Sequence, residues 1–384
     1  MVSTLPRHSL ADYVELLRAN TSQQLISVEH FSYIKAIAQV LPSAMTYFFG
    51  LECPLGTPKT QGDFLVCTTT EDGGPKILGD RHAYIHLPDS LKAHPVWNQV
   101  QHFGQVWCKE DSALHEKIKN VWLEFDVDGI PDAIPVPSCF FGPGSVYSEP
   151  TIEGAAYHWI TRQGLHLLRN QALPPAIEHK LFQCLDQLPQ KAYVFQIGTM
   201  LARKADAIRI CIRNIAPDAV GDYLKQLAWK GSVSELEALL AQLSALTESI
   251  DIDVDVGESI GPKIGLECHL KKQPKFEPRW ESLLNYLVDK GLCVPEKKAG
   301  LLTYPGIIRE KDYRDIWPNE LHKLSQILGT GYEVLFFKGL HHIKVVHQSG
   351  ASPVAKAYLS VRQAVLEKQI LKQFTTQMSG LIWG

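Results

Sequence analysis

Apolar and polar residues alternate strictly along residues 250–256, Ile-Asp-Ile-Asp-Val-Asp-Val, and again along 263–270, Lys-Ile-Gly-Leu-Glu-Cys-His-Leu. A period of two is the mark of a strand whose two sides meet different surroundings. Ile252, Val254 and Val256 point one way and Asp251, Asp253 and Asp255 the other. The acids do not form an EF-hand loop. Counted from Asp251, the sixth residue is Val256, where glycine is needed, and the twelfth is Pro262, where a bidentate glutamate is needed.

Strand candidates of this kind come in pairs: 64–70 before 82–87, 121–127 before 135–141, 192–201 before 207–214, 250–256 before 263–270, and 339–347 before 355–361. Short gaps inside each pair indicate hairpins and antiparallel neighbours. Helical periodicity fills most of the remainder: 10–18, 155–170, 176–187, 217–229, 233–247, 279–290, 319–328 and 361–377. Residues 205–231 and 261–291 repeat one plan of strand, proline-bearing turn and helix, closed by Gly231 and Gly291 respectively. The order predicted is helix–strand–strand–helix, repeated about five times, with roughly ten antiparallel strands.

Each strand has one apolar face. Ile208, Ile210 and Ile212 oppose Arg209, Cys211 and Arg213; Ile343 and Val345 oppose His342 and Lys344; Ala357 and Leu359 oppose Lys356, Tyr358 and Ser360. Leu123 and Phe125 oppose Trp122, Glu124 and Asp126, and Ile264 and Leu266 oppose Lys263, Gly265, Glu267 and His269. Amphipathic helices need an apolar sheet to cover. Helices outside and strands inside leave the charged faces lining a lumen; the other arrangement is an open α+β sandwich with its polar faces in solvent. Five hairpins accompanied by helices favour closure, because an open sheet has edges to protect. The expected fold is α+β, a closed antiparallel β-barrel of about ten strands surrounded by helices in repeated αββα units, with residues 1–384 as a single domain.

Composition agrees with a globular chain: 384 residues, 45% hydrophobic and 21% charged, with a formal net charge of −3. That charge argues against a nucleic-acid or membrane-surface binder. The N-terminal stretch has no apolar core of signal-peptide length, and no run of about 18 apolar residues predicts a membrane span. A cytoplasmic location is expected. The eight cysteines are scattered, never fall in a CxxC pair, and several lie among apolar neighbours. They read as buried reduced thiols.

Motifs for nucleotide, zinc-protease and serine-hydrolase chemistry are absent: there is no GxxxxGK[ST], no GxGxxG opening a helix, no HExxH and no GxSxG. His341 and His342 are adjacent, and neighbours on a regular strand face opposite sides, so a metal shared by both is not expected. Asp-Val-Asp-Gly at 126–129 reads as a strand end rather than a metal-binding turn. Asp251, Asp253 and Asp255 read most simply as solvent-exposed or matched by Lys263 on the neighbouring strand. Taken singly, each Arg or Lys is more often a solvated strand residue; their shared parity across four strands gives them weight. Glu267 can equally be an ion-pair partner between Lys263 and His269.

With that order of elements over nearly its whole length, the chain resembles the ABBA-type aromatic prenyltransferases, whose fold is a ten-stranded antiparallel barrel ringed by helices. Lys356-Ala-Tyr358 is similar to the Lys-x-Tyr pairs with which fungal indole prenyltransferases hold a diphosphate. Arg209-Ile-Cys-Ile-Arg213 has an Arg opening a strand, as in those enzymes, but lacks the Lys and Tyr that follow there at alternate positions. The DDxxD motif of the all-helical prenyl synthases is absent. The resemblance implies transfer of an allylic prenyl group from a prenyl diphosphate to an aromatic small molecule or peptide side chain. It implies that Arg209, Arg213, Lys263, Lys344 and Lys356 hold the diphosphate, with Tyr358 donating a hydrogen bond. Trp122 would help shield the carbocation, and Glu124 or Glu267 would accept the proton that the acceptor loses. No cofactor is required on this reading, although Mg²⁺ with the diphosphate is compatible with it. The alternative is a non-catalytic barrel that binds a peptide or anionic metabolite for a partner enzyme.

Overall fold

The computed structural model describes residues 9–46, 48–80, 87–132, 134–142, 159–203 and 206–371. The strands are β1 (Phe48–Pro54), β2 (Asp63–Thr69), β3 (Asn120–Phe125), β4 (Ser138–Gly142), β5 (Tyr193–Thr199), β6 (Ile208–Arg213), β7 (Ser249–Val256), β8 (Ile260–His269), β9 (Gly306–Arg309), β10 (Tyr332–Gln348) and β11 (Val354–Glu367). The spatial order is β11-β1-β2-β3-β4-β5-β6-β7-β8-β10, and β10 pairs back onto β11. Ten antiparallel strands therefore close into a barrel. β9 stands outside the ring, paired to the end of β10 that projects beyond it.

The alternation sets which face goes where. Ile208, Ile210, Ile212, Ile252, Val254, Ile264 and Leu266 are fully buried on the outside of the strands. They share one core with the helical faces of Leu236, Leu240 and Leu243 (helix Val233–Ser244) and of Trp280, Leu283, Leu284 and Leu287 (helix Arg279–Asp289). Helices thus sheathe the apolar outer surface, and the polar faces turn inward. Each fully buried Ile, Leu or Val contributes roughly 1.5–3 kcal/mol by leaving water, which is what drives the sheet and the helices together.

Four of the five expected hairpins form: β3–β4, β5–β6, β7–β8 and β10–β11. The first does not. Strand 64–70 corresponds to β2, whose neighbours are β1 and β3, while most of 82–87 lies outside the described residues. β1 lacks a visible alternation because Phe49 to Cys53 are buried on both faces. The helix expected over 361–377 is also corrected. β11 continues to Glu367 against β10, with Val334 opposite Val365 and Tyr332 opposite Glu367; helix begins only at 368, and residues beyond 371 are outside the described set. Pairing with a long partner strand overrides the local helical pattern there. Helices Val28–Ala38 and Pro95–Cys108 add to those expected, the first capped by Ser27, whose hydroxyl accepts from the His30 amide. No described helix is long and apolar enough to cross a membrane. All eight cysteines are free thiols.

Burial of the outward face makes a direct prediction. Ile210→Ala, at a fully buried position, should destabilise the protein by about 2–5 kcal/mol. Ile327→Ala, at a position 82% exposed, should change stability by no more than about 0.5 kcal/mol. Urea unfolding of the two variants checks this, and equal effects would contradict the outer-face assignment.

Candidate active site in the barrel lumen

Strand register decides which inward side chains meet. Antiparallel pairing puts Arg209 opposite Asp255, Cys211 opposite Asp253, Asp251 opposite Glu267, Glu267 opposite Lys344, His342 opposite Tyr358 and Glu52 opposite Tyr358. The lumen is consequently a ring of facing acids and bases. Arg209 grips Asp255 with two bonds, Nε–Oδ1 at 2.8 Å and Nη2–Oδ2 at 3.1 Å. Arg213 Nε donates to Asp251 Oδ2 at 2.9 Å and its guanidinium lies 4.1 Å from the Phe195 ring centre. Lys344 pairs with Asp253 and has Glu267 Oε1 at 3.5 Å. Lys356 and the Tyr358 hydroxyl both donate to Glu52. Arg203 Nε donates to Asp126 Oδ2 at 2.7 Å, which ties up the strand-end aspartate at 126.

Gly265 makes the Lys344–Asp253 contact possible. Lys344 has to pass over β8 to reach β7, and a Cβ on Gly265 would sit 2.8 Å from Lys344 Cε and 2.9 Å from Asp253 Oδ2. Arg209 and Arg213 are four residues apart on one strand, as are Asp251 and Asp255 on the next, so an antiparallel pairing matches both ends together. That spacing was the signal in the sequence for the partners of Asp251 and Asp255. The expectation that they are solvent-exposed or matched by Lys263 is corrected: Asp251 and Asp253 are buried, and the three pair with Arg213, Lys344 and Arg209. Lys263 is exposed at the mouth and has no carboxylate within ion-pair distance among the described residues.

Two adjoining spaces occupy the lumen. One, about 710 Å³ with its opening included, is lined by Phe48, Leu65, Trp122, Phe140, Phe195 and Leu359 together with polar groups that include Arg213, Glu267, His341 and His342. The other, about 1090 Å³ with its opening, is lined by Glu52, Arg203, Asp253, Asp255, Lys263 and Lys356. Glu124, Arg209, Lys344 and Tyr358 border both and form the seam between an aromatic and a charged compartment. All nine residues singled out from the sequence line these spaces. Trp122, Arg213 and Glu267 face the aromatic side; Lys263 and Lys356 face the charged side; Glu124, Arg209, Lys344 and Tyr358 sit at the seam. Glu52 was missed because β1 hides its alternation, although Phe48, Gly50 and Glu52 share one parity.

Electrostatics separates the two candidate bases. Burial, reinforced by the charge of Glu52, pushes Glu124 up to about 7. No hydrogen-bond donor or cation lies in contact with its carboxyl among the described residues, so it is poised between acid and base at neutral pH. Burial and then the Glu267 charge raise Asp253 to about 6 despite Lys344 beside it. Burial acts to lower Lys344, and the charges of Asp253 and Glu267 overcome it, so this lysine stays an ammonium. Glu267 is instead hemmed in by Lys344, by His269 Nε2 at 3.8 Å and by His342 Nε2 at 3.6 Å.

His341 and His342 correct another expectation. β10 carries a bulge between Leu340 and His342, so His341 has no opposite number on β11 and both imidazoles enter the lumen. Their Nδ1 atoms are 2.7 Å apart, and His342 stacks on Tyr358 with ring centres 4.2 Å apart. The bulge falls where β10 changes partners, from β9 at residues 335–338 to β8 at 343–348.

No protein-family model and no curated protein matches the chain. Among solved structures it is similar to the apo form of the prenyltransferase PriB (11% identity, TM-score 0.46, 92% of this chain and 94% of that one). It is also similar to 5-dimethylallyl tryptophan synthase from Streptomyces coelicolor in complex with DMASPP and Trp (12%, 0.44, 92% and 95%). AnaPT from Neosartorya fischeri is a third (11%, 0.42, 92% and 91%). The likeness is one of general arrangement, and the closed barrel stands on its own strand ladder.

The raised Glu124 pKa is open to test. Infrared spectra should show a protonated-carboxyl band that titrates near pH 7 and is absent in Glu124→Gln. The sign for stability follows: a carboxyl raised in the folded state costs stability above its unfolded pKa, progressively from about pH 4.5 to 7. Glu124→Gln should therefore gain about 1–3 kcal/mol at pH 8 and nothing at pH 4, the range allowing for water in the cavity. A pH-independent difference would contradict the assignment.

Proposed function

We propose that the barrel is a prenyltransferase-like enzyme that moves an allylic group from a prenyl diphosphate to an aromatic small molecule or peptide side chain. The observation that carries this reading is the seam: an apolar, aromatic space and a charged space meet at one near-neutral carboxylic acid, Glu124. The donor is itself amphipathic, with an apolar chain and a dianionic head. The chain suits the space lined by Phe48, Trp122 and Phe140, whose ring faces stabilise a cation. The head suits Arg209, Lys263, Lys344, Lys356 and Tyr358, with Arg213 close by on the aromatic side. The allylic C–O bond breaks at the seam and its electrons leave with the diphosphate. The acceptor's electron pair forms the new bond to carbon, and the proton it releases passes to ionised Glu124.

Ion pairing shapes how the donor binds. Arg209, Lys344 and Lys356 are each already held by a carboxylate. A diphosphate has to take those cations over, and the released acids then need protons. Among the released acids, Asp253, at about 6, is able to take one up near neutrality, which leaves ionised Glu124 free to act as the base. The same pairing favours the second reading, in which the charges are a structural frame and the aromatic space holds a ligand without transfer.

Calorimetric titration with non-hydrolysable allylic thiodiphosphates, with and without Mg²⁺, separates the two. Enzyme-like recognition predicts binding with net uptake of about one proton at pH 7, read from buffers of different ionisation enthalpy. Arg209→Gln and Lys356→Met should each weaken it by about 10–100-fold, the scale of a lost charge-assisted contact. Once an acceptor is found, Glu124→Gln should lower kcat by about 10²–10⁴. No binding to folded wild type would discard the prenyl donor and leave the non-catalytic reading.

A further inference from the structure

Away from the seam, on the wall that β8 and β10 share, three imidazoles converge. Ring centres of His269, His341 and His342 are 5.9 Å, 5.0 Å and 4.9 Å apart, taken as 269–341, 269–342 and 341–342. One ring nitrogen from each lies within 4.8 Å of the others. The carboxylates of Glu267 and Asp251 stand beside them, with Asp251 Oδ2 3.2 Å from His269 Nε2. Only the bulge in β10 permits this convergence, because a regular strand would send one of the adjacent histidines outward.

We infer that His269, His341 and His342 form a binding site for a first-row divalent transition ion of the zinc class, with the fourth position of the ion left open. Three observations support it. A tetrahedral ion with metal–nitrogen bonds of about 2.0–2.1 Å spaces its ligand nitrogens about 3.3 Å apart. One nitrogen of each imidazole already lies within 4.8 Å of the other two. The side chain of His342 is 7% exposed and its Nε2 has no hydrogen-bond partner, a buried polar atom with nothing to satisfy it. Finally, three imidazoles match zinc, cobalt, nickel or iron rather than Mg²⁺ or Ca²⁺, which take oxygen donors.

The ion takes its place beside the carboxylates of Asp251 and Glu267. Asp251 stays buried next to it, its charge still matched by Arg213. His341, His342 and Glu267 also line the aromatic compartment. An ion held there is therefore open to an anionic oxygen of whatever that compartment binds. The site stands on its own geometry and does not depend on prenyl transfer.

Chelator-treated full-length protein titrated with Co²⁺ and followed by visible absorption tests this. One Co²⁺ per chain should bind with the intense bands of a low-coordinate ion, be displaced by Zn²⁺, and be unaffected by excess Mg²⁺. His341→Ala and His342→Ala should each weaken binding by 100-fold or more, and exposed His322→Ala should leave it unchanged. His341→Gln, which keeps the bulge and a side chain of similar reach, should also lose at least 100-fold while circular dichroism stays that of wild type. No cobalt spectrum on the folded wild type at millimolar Co²⁺ would overturn the proposal. So would binding of undiminished affinity in His341→Gln; either result would leave the two histidines as a hydrogen-bonded pair.

Discussion

The barrel depends on matching charge inside a space from which most water is excluded. Closing ten strands with their apolar faces outward leaves most inward charged residues to find partners across the ladder. Arg209–Asp255, Arg213–Asp251 and Lys344–Asp253 are the result on three adjoining walls. Such pairs contribute little net stability, since desolvating two charges offsets most of their attraction, but a one-residue slip would leave several charges buried alone. They therefore hold the register of β6, β7 and β10 more firmly than the apolar faces can. The close approach at Gly265 and the burial of Asp251 and Asp253 follow from the same requirement.

That requirement also governs chemistry. A lumen with unpaired cations would attract any anion, whereas a matched lumen admits an anion only in exchange for its own carboxylates. Selectivity then rests on whether a ligand can engage several cations together while protons neutralise what it displaces. Glu124 stands apart because no partner opposes it and two compartments meet on it. An isolated carboxyl in such a place has its proton affinity set by burial, which puts it in the range useful for proton transfer.

Much of this was legible in the chain because β3, β6, β8, β11 and residues 342–345 of β10 alternate cleanly. Parity alone brought Glu124, Arg209, Glu267, Lys344 and Tyr358 to one surface, and the hairpin count pointed to closure. Where alternation fails, the reading fails with it. β1 is buried on both sides, so Glu52 and its hold on Lys356 and Tyr358 left no trace. At His341 one extra residue reverses the parity, and nothing local announces a bulge that arises from a change of partner strand. Residues 361–367 have a helical pattern, yet they lie opposite a strand already extended by seventeen residues of β10, and the ladder prevails. The aspartates were misplaced for a different reason. The partners of Asp251 and Asp255 sit on β6, about forty residues upstream, and only matching the Arg209–Arg213 spacing to Asp251–Asp255 would have connected them; the partner of Asp253 is Lys344 on β10, two strands away.

A double-mutant cycle on Arg209 and Asp255 tests the matched lumen most directly. Removing one partner, in Arg209→Met or Asp255→Leu, should cost about 1–3 kcal/mol by leaving a half-buried charge alone. The double variant should be close to wild type in urea unfolding, giving a coupling energy of about 1–3 kcal/mol that persists at high salt. Additive single effects, or a coupling that salt abolishes, would mean that these side chains are solvated and that the charged faces do not line an enclosed barrel.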